Sequence, residues 1–87
     1  MNHGETSAAA DRAAFAAEEL RVRRLRRAMD MTALLLRTVD LTFEEAQAVV
    51  SHAKQTALQL FPDKEETFDL IYGSRFRRIL VEKYALQ

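Results

Sequence analysis

Two groups of arginines are the residues best placed to do chemistry. Arg21, Arg23, Arg24, Arg26 and Arg27 crowd together, and Arg75, Arg77 and Arg78 are interleaved with Tyr72 and Phe76. A guanidinium group is planar and matches the oxygens of a phosphate, so a helix bearing several can hold a nucleic-acid backbone. Aromatic rings beside arginines can also stack on and clamp a single strand. On these grounds Arg23, Arg26, Arg27, Arg75, Arg77 and Arg78 form a candidate phosphate-binding set. A plainer account competes. On a helical wheel Arg23, Arg26 and Arg27 lie with Arg12 and Arg37 opposite an apolar stripe, as a solvated face would. Glu19 precedes Arg23 by four residues, and Asp30 follows Arg27 by three and Arg26 by four. Those spacings allow ion pairs along the helix, each contributing a few tenths of a kcal/mol. Tyr72 and Phe76 fall on an apolar stripe of their own, which points to core packing.

The remaining chemically capable residues form weaker patterns. Asp63, Glu65, Glu66 and Asp69 cluster at an expected helix start, where the macrodipole favours negative charge. A calcium loop would need a glycine and alternating oxygen ligands there, and the segment has neither. His52 has no second histidine three or four residues away, so helical zinc-site spacing is missing, and His3 stands far off in the tail. Ser51 adjoins His52 but projects from a different face of a helix, which gives no nucleophile–base pair. The chain is therefore read as a non-enzyme, with no cofactor and no metal. A helix-turn-helix is disfavoured as well. Its recognition helix would begin with Glu44 and Glu45 and carry Lys54 as its one basic residue.

Composition narrows the class further. The 87 residues suit one domain. Thirteen basic side chains balance thirteen acidic ones, for a net charge of zero, whereas dedicated nucleic-acid binders carry a basic excess. There is no cysteine, which excludes disulfides and thiolate metal sites. The start is polar and acidic with no apolar h-region, so no secretory signal is expected. The longest apolar run, Ala33 to Leu36, is far too short to span a membrane. The expected setting is the cytoplasm, with no membrane partner.

The elements that would position these residues are helices. Alanine, leucine, glutamate and arginine dominate, and two glycines and one proline are too few for the turns of a β-sheet protein. The expectation is an all-α three-helix bundle. A disordered tail covers 1–7, and a single helical domain covers 8–87. Helix one spans about 8–37 with Ser7 as N-cap, and helices two and three span about 43–61 and 64–85. Phe15, Val22, Met29 and Leu36 recur every seven residues, with Leu25 and Ala33 on the same stripe. Leu20, Ala28, Met31 and Leu35 make a second stripe, so helix one is expected to lie between two neighbours. Thr42 and Glu45 have capping-box spacing, with Leu41 and Ala46 as a hydrophobic staple, and Asp63 and Glu66 repeat the box spacing before helix three. Pro62 ends helix two. Phe43, Ala46, Val50, Ala53, Ala57 and Leu60 face the core from helix two. Phe68, Ile71, Tyr72, Phe76, Ile79, Leu80 and Tyr84 face it from helix three. Gly73 marks either a kink or a close helix approach.

At about 1.5 Å per residue, helix one would be about 45 Å long, more than a compact domain of this size needs. Its surplus stripe calls for a partner. The expected function is a helical protein–protein interaction or assembly module, homodimeric or paired with another helical protein. Phe15, Val22, Leu25 and Met29 are the expected seam. The alternative is a nucleic-acid-associated protein that uses the arginine set.

Overall fold

The computed structural model describes residues 3–85 and is all-α, with no strand among the described residues. Helix α1 spans His3–Thr38, α2 spans Phe43–Leu60, α3 spans Glu65–Phe68 and α4 spans Ser74–Tyr84. A π-helical turn, Asp69–Gly73, joins α3 to α4 without a break, so the last two segments form one third helix. The architecture is the expected three-helix bundle. α2 runs back along the C-terminal half of α1, and the third helix runs parallel to α1 and closes the core.

α1 begins earlier than expected. His3–Ser7 belongs to the helix, so Ser7 is an interior residue and not an N-cap, and Met1 and Asn2 lie outside the described residues. The run Ala8–Ala10 explains this, because alanine costs least to hold in helical geometry. α2 starts as its sequence predicts. The Thr42 hydroxyl accepts from the Glu45 N–H at 3.0 Å, and the Thr42 N–H donates to the Glu45 carboxylate at 2.9 Å. Asp63 and Glu66, at the same spacing, form no such box. Lys64 takes the cap position of α3 without a side-chain bond. Pro62 and Asp63 are instead the middle of a tight turn closed by the Lys64 N–H on the Phe61 carbonyl at 3.1 Å, which suits proline's fixed φ.

The core is built from Met29, Ala33 and Leu36 of α1, Ala46, Ala53 and Ala57 of α2, and Phe68, Phe76, Ile79 and Leu80 of the third helix. Met29, Leu36 and Phe76 are fully buried, and each such side chain contributes about 1.5–3 kcal/mol. The alanines of α2 let the other two helices approach closely. Ile71, expected in the core, is exposed together with Leu70. Ile71 stands five residues before Phe76, about 140° round a regular helix from that buried ring, and the π turn acts on the aromatic residues instead. Residues eight apart on a regular helix differ by about 80° in direction. The wider turn takes up that angle and aligns Phe68, Tyr72 and Phe76, whose successive ring centroids lie 6.0 and 6.5 Å apart. Gly73 sits in this turn with helical angles. The nearest atoms that a Cβ there would meet belong to Phe68 and Asp69 of its own helix, none nearer than 3.7 Å, so the glycine makes no tight approach to another helix.

The molecule is elongated, with extents of 65 × 22 × 16 Å. Its radius of gyration is 17.5 Å, against about 12 Å for a compact chain of this length. The excess is the N-terminal half of α1, which projects as an arm exposed almost throughout from Ser7 to Leu20. Among the described residues no helix is long and apolar enough to cross a membrane.

Candidate interaction surface

The bundle leaves one face of α1 bare. Leu20, Met31, Leu34, Leu35 and Thr38 lie opposite the core stripe, and of these Met31 is 59% and Leu34 52% exposed. The pairing with α2 and the third helix covers the Met29–Leu36 stripe, and the second apolar stripe stays exposed at Leu20, Met31 and Leu35 and is half-buried at Ala28. α2 extends the bare face sideways. Ala48, Val49 and His52 border it, and together with Met31, Thr32, Leu34, Leu35, Thr38 and Val39 they line a shallow, open, almost wholly apolar groove. The two threonines add little polarity. Thr32 donates its hydroxyl to the Ala28 carbonyl at 2.8 Å, and Thr38 donates to the Leu34 carbonyl at 2.7 Å. Such back-bonding satisfies the hydroxyl within its own helix.

Charge is arranged at the two ends of this face. Arg24 and Arg27 stand on α1 toward the arm, and Asp40, Glu44 and Glu45 stand where α1 gives way to α2. All five are exposed. Arg24 and Arg27 form no ion pair among the described residues, and neither do Asp40 and Glu44. The Glu45 carboxyl is held below its usual range, first by the bond from the Thr42 backbone N–H and then by the Thr42 side chain.

A second apolar surface lies where α1 enters the bundle. Val22, Leu25, Ala57, Phe61, Lys64, Thr67, Phe68 and Tyr72 line a cleft of about 210 Å³. The Arg21 guanidinium lies over the Phe61 ring at 5.8 Å and pairs with Glu18 at 3.7 Å. This cleft separates the residues expected to form one seam. Met29 is fully buried and reaches no partner, Leu25 is half-buried in the cleft, Val22 stands at its rim, and Phe15 is 66% exposed on the arm. Asp11 and Glu18 lie four residues before and three after Phe15 and share its face. A helix docked on that stripe would have to strip water from two carboxylates.

The arginines disperse in the fold. Arg23, Arg26 and Arg27 border a shallow groove with Asp30 and Met31. Arg75 reaches the same region, pairing with Asp30 at 3.8 Å while lying over the Tyr72 ring at 5.7 Å. Arg77 faces away from it, lining a groove with Phe43, Gln47 and Val50 of α2. Arg78 is exposed without a partner among the described residues. Phe76 is in the core and closed to a base, and Tyr72 is half-buried, packed against Phe68 and Phe76 with the Arg75 guanidinium over its ring. The acidic cluster also has an internal use. Lys54 of α2 bonds Asp69 at 3.0 Å and approaches Glu65 at 3.7 Å, which ties α2 to the third helix and raises the Lys54 pKa, mainly through the Asp69 bond.

Sequence patterning missed Lys83, and it placed Tyr84 on the core stripe without its hydrogen bond, although both shape this end of the molecule. The Lys83 ammonium donates to the carbonyls of Leu36, at 2.6 Å, and Val39, and the Tyr84 hydroxyl donates to the Leu41 carbonyl at 2.7 Å. Together they hold the α1–α2 connection that carries Asp40. Their sequence separation of more than forty residues leaves no local signal. Compared with family models, curated proteins and solved structures, the chain matches none.

Proposed function

We propose that the protein is a helical interaction module that associates with itself, most simply as a homodimer. The bare α1–α2 face supports this reading, because Met31, Leu34, Leu35 and Val39 expose large apolar side chains side by side on a domain of modest core. Large contiguous apolar surface on a folded domain marks sites of protein or membrane interaction and ligand grooves. The arm adds a second unpartnered stretch of helix. The nucleic-acid alternative draws on the Arg23–Arg26–Arg27 groove. Asp30 within that groove, the paired state of Arg75 and the diversion of Arg77 to α2 weaken it.

The test is the mass of the purified chain in solution, measured by sedimentation from low to high micromolar concentration. A mass rising toward twice the monomer's supports the reading, and a monomer throughout the range overturns it. Titration of labelled single- and double-stranded DNA and RNA at low salt runs beside it. Tight binding that collapses as salt rises would put the arginine groove in first place.

A further inference from the structure

The bare face has a polarity that selects its occupant. Its centre lies at Leu34 and Leu35. Arg27 stands about 11 Å from that centre toward the arm, at 1.5 Å per residue. Asp40, Glu44 and Glu45 stand beyond the other end, past the close of α1 at Thr38. The face is therefore apolar in the middle, basic at one end and acidic at the other.

A two-fold axis through the centre of such a face superposes unlike ends. We infer that the α1–α2 face is the seam of a two-fold symmetric homodimer, in which α1 crosses its copy antiparallel at Leu34–Leu35 and Arg24 and Arg27 of each chain meet Asp40 and Glu44 of the other. The inference rests on the self-association reading and specifies its geometry. An isologous interface requires one patch to complement itself, and an apolar centre with opposite charges at its ends meets that requirement. The charges that the symmetry brings together form no ion pair within the chain, while Glu18, Asp30, Glu65 and Asp69 already have internal partners. The Thr38 hydroxyl near the crossing is spent on the Leu34 carbonyl, so closing the seam strands no donor there.

Competing occupants fit less well. A nucleic-acid backbone would meet repulsion at the acidic end. A seam on the arm would desolvate Asp11 and Glu18, and a seam sliding α1 toward the arm would set Arg24 and Arg27 against their own copies.

Charge reversal tests the geometry. One variant carries Arg24→Glu with Arg27→Glu, and the other carries Asp40→Lys with Glu44→Lys; circular dichroism establishes that each remains helical. Alone, each presents like charges to its copy at both ends of the seam. Mixed in equal amounts, they present opposite charges at both ends. The expected result is that each variant sediments as a monomer at a concentration where the unmodified chain is dimeric, and that the mixture recovers the dimer mass. Leu34→Glu, at an exposed position, should dissociate the dimer with no rescue by either variant. Dimers of undiminished stability from both charge variants and from Leu34→Glu would overturn this seam and leave self-association standing elsewhere on the chain. A monomeric unmodified chain would overturn both. Binding of the monomeric unmodified chain to DNA that is lost in Arg24→Glu with Arg27→Glu would assign the face to an anionic partner and overturn the seam.

Discussion

The Lys83 ammonium reaches the carbonyls of Leu36 and Val39, acceptors at the end of α1 that a helix leaves without an internal donor. A cation at that end also opposes the negative pole of the helix. Replacement of Lys83 by methionine keeps the chain's length and apolar stem and removes the donor. It should lower unfolding free energy by about 1–3 kcal/mol, read as a shift of the urea midpoint at constant slope. Glu45 offers a pH-dependent counterpart. Its carboxyl is held below its usual value near 4.5, so the folded chain binds a proton less readily than the unfolded one. That contribution is complete above about pH 4.5 and is lost as the pH falls through the lowered value. Glu45→Gln retains an acceptor for the Thr42 N–H but does not titrate. The unmodified chain should therefore be more stable than Glu45→Gln at pH 7, and the gap should narrow by pH 3. A gap that widens at low pH would contradict the role given to the carboxylate.

At the scale of elements, the third helix departs most from its sequence pattern. Gly73 adopts φ −56° and ψ −44°, ordinary helical values, and has room for a methyl group. Gly73→Ala should therefore raise stability, by up to about 1 kcal/mol in thermal or urea unfolding. A clear loss would mean that the π turn needs the glycine. This turn also marks the limit of what pattern could reveal. Three helices, their connections and the Thr42–Glu45 box are local matters, written in periodicity and capping residues. The alignment of Phe68, Tyr72 and Phe76 depends on one widened turn, and local spacing holds no trace of it. Asp63 and Glu66 show the converse. The capping pattern is present, but Pro62 and Asp63 are used in the turn and cannot also cap. For the candidate surface, the second stripe of α1 was legible, and so was its need for a neighbour. Whether that neighbour came from the same chain depended on which face α2 and the third helix chose. The charges at either end of the face became a pattern only once α2 folded back beside α1.

Taken whole, the molecule is a small bundle with a long helical arm. Isolated helices of the arm's length are marginal in water, and this arm gains no tertiary packing between Ser7 and Leu20. Amide hydrogens of Ala9 to Leu20 should exchange orders of magnitude faster than those of Met29 to Leu36, in a mass-spectrometric or NMR exchange experiment at neutral pH. Protection of the arm that appears only at dimer-forming concentrations would assign it a place in the assembly beside the α1–α2 face.

The clamp by Lys83 has a consequence for the order of events during synthesis. The lysine follows the carbonyl of Leu36 by 47 residues. At typical translation rates it is made roughly 2–10 s after the helix end it closes, whereas helices form in microseconds or less. Over those seconds Met29, Ala33 and Leu36 lack the third helix that covers them in the folded chain.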